Sequence, residues 1–158
     1  MTSSTVHLGS LSVPAKAARD VKAAFAYLSR DPVERTLIDR IEHSDTKHHI
    51  SINHRGNDTY DPMRETITWD PHSALLTTTG GRQSPALGLG HEIDHAVESA
   101  DNPLAYDLLA ARRDVSYDNL EEKRVIRGSE SHAAHTLGEA VRHDHDGELY
   151  RVPSPTSR

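Results

Sequence analysis

Apolar residues recur at helical spacing in several stretches of the chain. Val21, Ala24, Phe25 and Leu28 stand at i, i+3, i+4 and i+7, which predicts an amphipathic helix over residues 15–28. Asp31-Pro32 reads as an N-cap followed by proline at the first helical position, opening a short helix through Val33, Leu37, Ile38 and Ile41. Ile50 and Ile52 alternate with polar neighbours over residues 48–53, and Glu65-Thr66-Ile67-Thr68-Trp69 alternates with β-branched residues. Both segments are predicted strands, pairing as a hairpin across a long connection rich in Gly, Asn, Asp and Pro. The segment ending at Trp69 is the expected sheet edge. Residues 77–84 form a Thr/Gly-rich loop, and Pro85 opens a helix that reaches about Ser99 before Asp101-Asn102-Pro103 breaks it. Asn119 is the N-cap of a last long helix over residues 120–137, closed by Gly138. Residues 1–14 read as a flexible Ser/Thr-rich leader and 153–158 as a disordered tail, leaving one α+β domain over residues 15–152.

Composition narrows the partners. The 158 residues carry a net charge of −6, which argues against a nucleic-acid backbone, since such binders present a basic surface. No apolar run approaches the ~18 residues of a membrane span, so no membrane partner is expected. The N-terminus lacks the basic and apolar regions of a classical secretory signal, which leaves a cytoplasmic protein or one exported by another route. A monomer is expected. Cysteine is absent while histidine occurs 12 times, so any metal must be held by His, Asp or Glu.

The chemistry concentrates in Gly90-His91-Glu92-Ile93-Asp94-His95-Ala96. Residues four apart share a helix face, so His91 and His95 can direct their imidazoles at one ion. Glu92 then stands beside the water such an ion would activate, the physical content of the His-Glu-x-x-His motif. The motif lies between Ala86-Leu87-Gly88-Leu89 and Ala96-Val97, in an apolar helix where two histidines and a glutamate need a compensating partner. The alternative, two merely exposed polar histidines, fits that setting less well. A catalytic zinc site needs a third protein ligand and an open position. Downstream candidates are Asp101, Asp118, Glu121, Glu122, Glu130, His132 and His135. Acids in a first helical turn also suit the helix dipole, but the adjacent pair Glu121-Glu122 favours a ligand.

The run Leu120-Glu121-Glu122-Lys123-Arg124-Val125-Ile126-Arg127-Gly128-Ser129-Glu130 resembles the Glu-Glu segment of clostridial neurotoxin light chains and, more closely, the NleD-like type III effector metalloproteases. Thr68-Trp69-Asp70-Pro71, Ser84-Pro85-Ala86-Leu87 and Leu137-Gly138-Glu139-Ala140-Val141-Arg142 share that look, so the resemblance covers roughly residues 45–155. It implies a small zincin-like metallopeptidase domain, with a short sheet, an active-site helix and a second ligand-bearing helix. It implies that His91, His95 and Glu122 bind Zn2+, that Glu92 is the general base and that Glu121 orients a ligand histidine. Arg142 matches the arginine of an Arg-x-x-Tyr pair that stabilises the oxyanion; His145 stands where the tyrosine would be, with Tyr150 a rival for the role. By the same resemblance the protein is a secreted effector or toxin delivered into the host cytoplasm, acting on a host signalling protein bound extended along an edge strand.

Two other readings stay open. His143-Asp144 could serve a metal-dependent phosphohydrolase, and the domain could be a metal-stabilised, inactive binding module. His132, His135 and Trp69 read as ordinary helix and core residues.

Overall fold

The computed structural model describes residues 4–158, with residues 1–3 of the expected leader outside the described part. The rest of that leader is structured: β1 (Thr5–Leu8) and β2 (Leu11–Pro14) form an antiparallel hairpin whose Leu11 and Val13 enter the core. The hairpin turns at Gly9, whose φ of +59° places its backbone against the Glu42 carbonyl, a spot that admits no side chain. A 3-10 turn (Ala15–Ala17) leads into α1 (Ala18–Leu28). Val21, Ala24, Phe25 and Leu28 form the buried face of α1, as their spacing predicts. In α2 (Pro32–Glu42), Asp31 caps the helix by accepting the Glu34 N–H at 2.9 Å.

Four strands follow: β3 (His49–Ile52), β4 (Thr59–Asp61), β5 (Thr66–Trp69) and β6 (Ser73–Leu76). The five-stranded sheet runs β1-β2-β3-β5-β4. The expected hairpin between residues 48–53 and 65–69 is corrected here: β3 and β5 run parallel, with His49 opposite Thr66 and Ile52 opposite Trp69. The connection between them is not all loop. It contains β4, which takes the antiparallel place beside β5 and forms the sheet edge, so residues 65–69 are interior. Ile50 and Ile67 point inward from neighbouring strands, and Trp69 is fully buried.

After β7 (Arg82–Gln83), helix α3 (Pro85–Asp101) passes through the core, burying Leu87, Leu89, Ile93 and Ala96 completely. Its start is fixed by Ser84 Oγ, which accepts the Leu87 N–H, and by the Trp69 indole N–H, donated to the Pro85 carbonyl at 2.9 Å. Glu139 anchors the same corner, accepting from Ser84 N–H and Oγ at 2.6 and 2.7 Å and from the Tyr27 hydroxyl. Next come α4 (Pro103–Ala110), a two-residue ribbon of β8 (Arg113–Asp114) and β9 (Asp118–Asn119), and α5 (Leu120–Val125). The single long helix expected over residues 120–137 is broken. A widened turn over Ile126–Glu130, with Gly128 at φ −100°, ψ −108°, separates α5 from α6 (Ser131–Leu137). Gly138 closes α6 in the left-handed region, as the sequence predicts.

The last strand, β10 (Glu148–Arg151), joins β6 and β7 in a second sheet of order β10-β6-β7. The tail expected to be disordered packs back: the Ala86 N–H donates to the Pro155 carbonyl at 2.8 Å, and Pro155 is buried. No helix among the described residues is long and apolar enough to cross a membrane. The architecture is α+β, with the His-Glu-x-x-His motif inside α3.

Candidate active site

His91 and His95 lie one turn apart on α3, almost entirely buried, with their Nε2 atoms 3.1 Å apart. Each Nδ1 meets a carboxylate. His91 Nδ1–H donates to Glu130 Oε1 at 2.8 Å, and His95 Nδ1–H donates to Glu121 Oε2 at 2.6 Å. These bonds fix the ring orientations and leave both Nε2 atoms directed at one point. Glu122 Oε2 arrives there from α5, 2.7 Å from His91 Nε2 and 3.0 Å from His95 Nε2. Glu92 stands next to the group, with Oε1 3.9 Å from His91 Nε2.

A short stretch of chain builds the acidic side of the site. Asn119 caps α5 by accepting the Glu122 N–H at 2.9 Å, which sets Glu121 and Glu122 in the first turn, facing α3. Glu121 is tied to Arg124, whose guanidinium also reaches Asp94 at 2.9 Å. Ser129 Oγ donates to the other Asp94 oxygen, so one residue of the motif helix clamps the α5 region to α3. Asp118 holds φ +71°, a left-handed conformation unusual for a residue other than glycine, and its carboxylate accepts from His145 Nδ1–H. That contact turns His145 Nε2 toward Glu122 Oε2, 3.4 Å away, and lays the ring parallel to His91 at 6.0 Å.

Burial opposes ionisation of Glu122, yet the two imidazoles hold its carboxyl far below the usual carboxylate range. Burial likewise opposes protonation of His91 and His95. Hydrogen bonds donated to Glu122 and Glu130 nevertheless raise His91 to about 10, and those donated to Glu121 and Glu122 raise His95 to about 9. Burial pushes Glu92 up, against the opposing pull of the two histidines. These directions share one cause. With both Nδ1 positions given to carboxylates, the two Nε2 atoms and Glu122 Oε2 are three electron-rich atoms in mutual contact, and either extra protons or a cation must lie among them.

Those atoms fit zinc. Ligand atoms about 2.0–2.2 Å from one tetrahedral zinc lie roughly 3.2–3.5 Å from one another. The imidazole pair, 3.1 Å apart, lies just inside that spacing, and the carboxylate stands closer in at 2.7 and 3.0 Å. Nitrogen and oxygen donors without sulfur suit zinc, and both histidines are steadied by a further hydrogen bond through Nδ1. The site is a buried His-Glu-x-x-His metal centre of zinc metalloendopeptidase type, with Glu122 nearer than Glu92 to both imidazoles.

No family model, curated protein or solved structure matches the chain.

The remaining candidates are distributed as follows. Arg142 lines the cleft beside His91, but its Nε and Nη2 both donate to Glu130 at 2.8 Å, placing it behind the His91–Glu130 bond. Tyr150 lies in β10 with Arg82 over its ring, away from the cleft lining. Asp144 accepts from Thr78, and His143 is exposed. Among the described residues neither belongs to a group of three or more close enough to share an ion. His132 donates to Asp31 far from α3's ligands, and Trp69 is core.

The sequence offered Glu130 and Asp118 only as possible ligands and gave no sign of Asp94 as a structural partner. On a regular helix Glu130 would lie about two turns beyond Glu122 and about 80° around the axis from it. The widened turn at Gly128 brings Glu130 under His91, and only that irregular glycine hinted at it.

Proposed function

We propose that the protein is a zinc metallopeptidase that hydrolyses peptide bonds in protein substrates. The observation that carries this reading is the convergence of Glu122 Oε2 on both Nε2 atoms of a buried His-Glu-x-x-His helix, with Glu92 alongside and a cleft opening beyond it. His91, His95 and Glu122 would hold the ion, which would supply Lewis-acid chemistry, making water nucleophilic near neutral pH. Glu92 takes the proton of the attacking water and returns it to the leaving amine, a transfer suited to a carboxyl raised by burial. His145, held through Nδ1 by Asp118, presents Nε2 to the same space; a protonated ring donates there to the carbonyl oxygen as charge builds on it. Arg142 adds positive charge at the cleft wall and keeps Glu130 aimed at His91.

Edge strand β4 packs on α3 and has one side unpaired, so an extended peptide can add to it as a further strand. The resemblance to type III effector proteases supports delivery into a host cell and a signalling protein as substrate. That part of the proposal rests on the resemblance alone.

Glu92→Gln tests the chemistry. The variant is expected to keep one zinc per chain by elemental analysis while proteolysis falls by roughly 10²–10⁴-fold. Lysates treated with wild type and variant are compared for new peptide termini, and identical termini in both would refute the peptidase reading.

A further inference from the structure

A pocket of about 340 Å3 opens directly off His91 and Glu92, on the side of α3 facing the second sheet. Asp58, just before edge strand β4, lines it. Its Oδ1 accepts the Asp70 N–H at 2.9 Å, the sole hydrogen bond to Asp58 among the described residues. Its Oδ2 lies over Gly88 of α3, so close that a Cβ there would stand 2.7 Å away; the glycine makes room for the carboxylate. Burial raises the Asp58 carboxyl to about 7, the backbone bond from Asp70 lowers it, and the charge of Glu92 raises it further, as befits an acid without a counter-cation.

Arg142 lines the same pocket but is committed to Glu130 through two hydrogen bonds. The ion's two charges are matched by Glu92 and Glu122. Asp58 and the exposed Asp146 therefore set the charge that an incoming side chain meets. Leu75 and Leu149 are the larger apolar residues of the lining. A mostly polar pocket with some apolar wall and a carboxylate that has no cation within ion-pair distance among the described residues suits a side chain with a methylene stem and a cationic head.

We propose that this pocket is a subsite for a lysine or arginine of the substrate next to the scissile bond, with Asp58 recognising its charge. The assignment rests on the metallopeptidase reading, and its test separates the two. A peptide library made from a proteome by cleavage at acidic residues keeps lysine and arginine internal. It is incubated with zinc-loaded wild type, Asp58→Asn and Glu92→Gln, and new termini are read by mass spectrometry. Wild type is expected to cut with lysine or arginine at one fixed position beside the bond. In Asp58→Asn, kcat/KM for such a peptide relative to its methionine counterpart is expected to fall roughly 10- to 100-fold. Acetylating the library's lysines, which leaves the enzyme untouched, removes the lysine-flanked cuts even where Asp58→Asn folds poorly. Wild-type cuts without basic preference, or a preference that Asp58→Asn retains, overturn the subsite and leave the peptidase reading in place. Absence of any wild-type cut beyond those seen with Glu92→Gln overturns the peptidase reading, and the subsite with it.

Discussion

Glu34→Gln is expected to stabilise the fold at neutral pH. Glu34 sits on α2 with its carboxylate pressed against α3 at Gly90, fully shielded from solvent, and neither oxygen has a hydrogen-bond partner. Burial raises its carboxyl to about 8, and the charges of Asp94 and Asp31 push the same way, against His91. The folded protein therefore keeps a proton that the unfolded chain, titrating near 4.5, has released. Stability is unaffected by this group below the unfolded value, falls as pH rises between about 4.5 and 8, and stays reduced above that. At pH 7.5 the gap is about three pH units, or about 4 kcal/mol at 1.36 kcal/mol per unit. Glutamine has the same shape and nothing to ionise. Urea unfolding of both proteins in a chelator, at several pH values from about 4.5 to 8, isolates the term, because their shared titrations cancel in the difference. The expected difference grows from near zero to about 4 kcal/mol in favour of the variant. A pH-independent difference, or a variant less stable than wild type at pH 7.5, would refute the protonated buried Glu34.

Two further outcomes follow from the metal centre. Zinc takes neutral imidazoles, and the metal-free His91 and His95 hold protons up to about 10 and about 9, so apparent zinc affinity should rise with pH across the neutral range with proton release. Calorimetry in buffers of differing ionisation enthalpy measures that release, and a pH-independent affinity contradicts it. Glu130→Gln removes the charged acceptor behind His91 and is expected to weaken zinc binding roughly 10- to 100-fold in a chelator competition. An unchanged affinity would mean that Glu130 serves Arg142 and not the ligand.

The parts of this molecule legible in the sequence are those set by local spacing. One helical turn between His91 and His95 is enough to place both rings on one face, and the caps at Asp31, Asn119 and Gly138 mark element ends by their own side chains or backbone freedom. Pairings across long separations left weaker marks. The parallel register of β3 with β5 depends on β4 filling the antiparallel place, and Thr59-Tyr60-Asp61 is too short for its alternation to stand out among turn residues. The ends were misread for a related reason. Polar composition marks a loose segment only when nothing ties it down, and here Leu11 and Val13, alternating over too few residues to stand out, and the isolated Pro155 do so.

The charges around the two histidines can be balanced by protons or by a metal, and only one of these leaves the ligand set open. Four carboxylates meet the two histidines: Glu92, Glu121, Glu122 and Glu130. Glu121 rests on Arg124 and Glu130 on Arg142, so each of these acids carries its counter-ion with it. Glu92 and Glu122 have no arginine or lysine partner within ion-pair distance among the described residues; their cationic contacts are the histidines. Two negative charges are left over in a buried space, where unpaired charge is costly. They are balanced either by a second proton on each imidazole or by one divalent ion. The proton solution leaves the Nε2 positions occupied and Glu122 held as a salt-bridge partner, which blocks the ligand set. The metal solution neutralises the same two carboxylates, returns both rings to their neutral ligand form and leaves Glu92 as a free base beside the cleft. The residues that make the protein pH-sensitive without metal are thus the ones that make it a hydrolase with it.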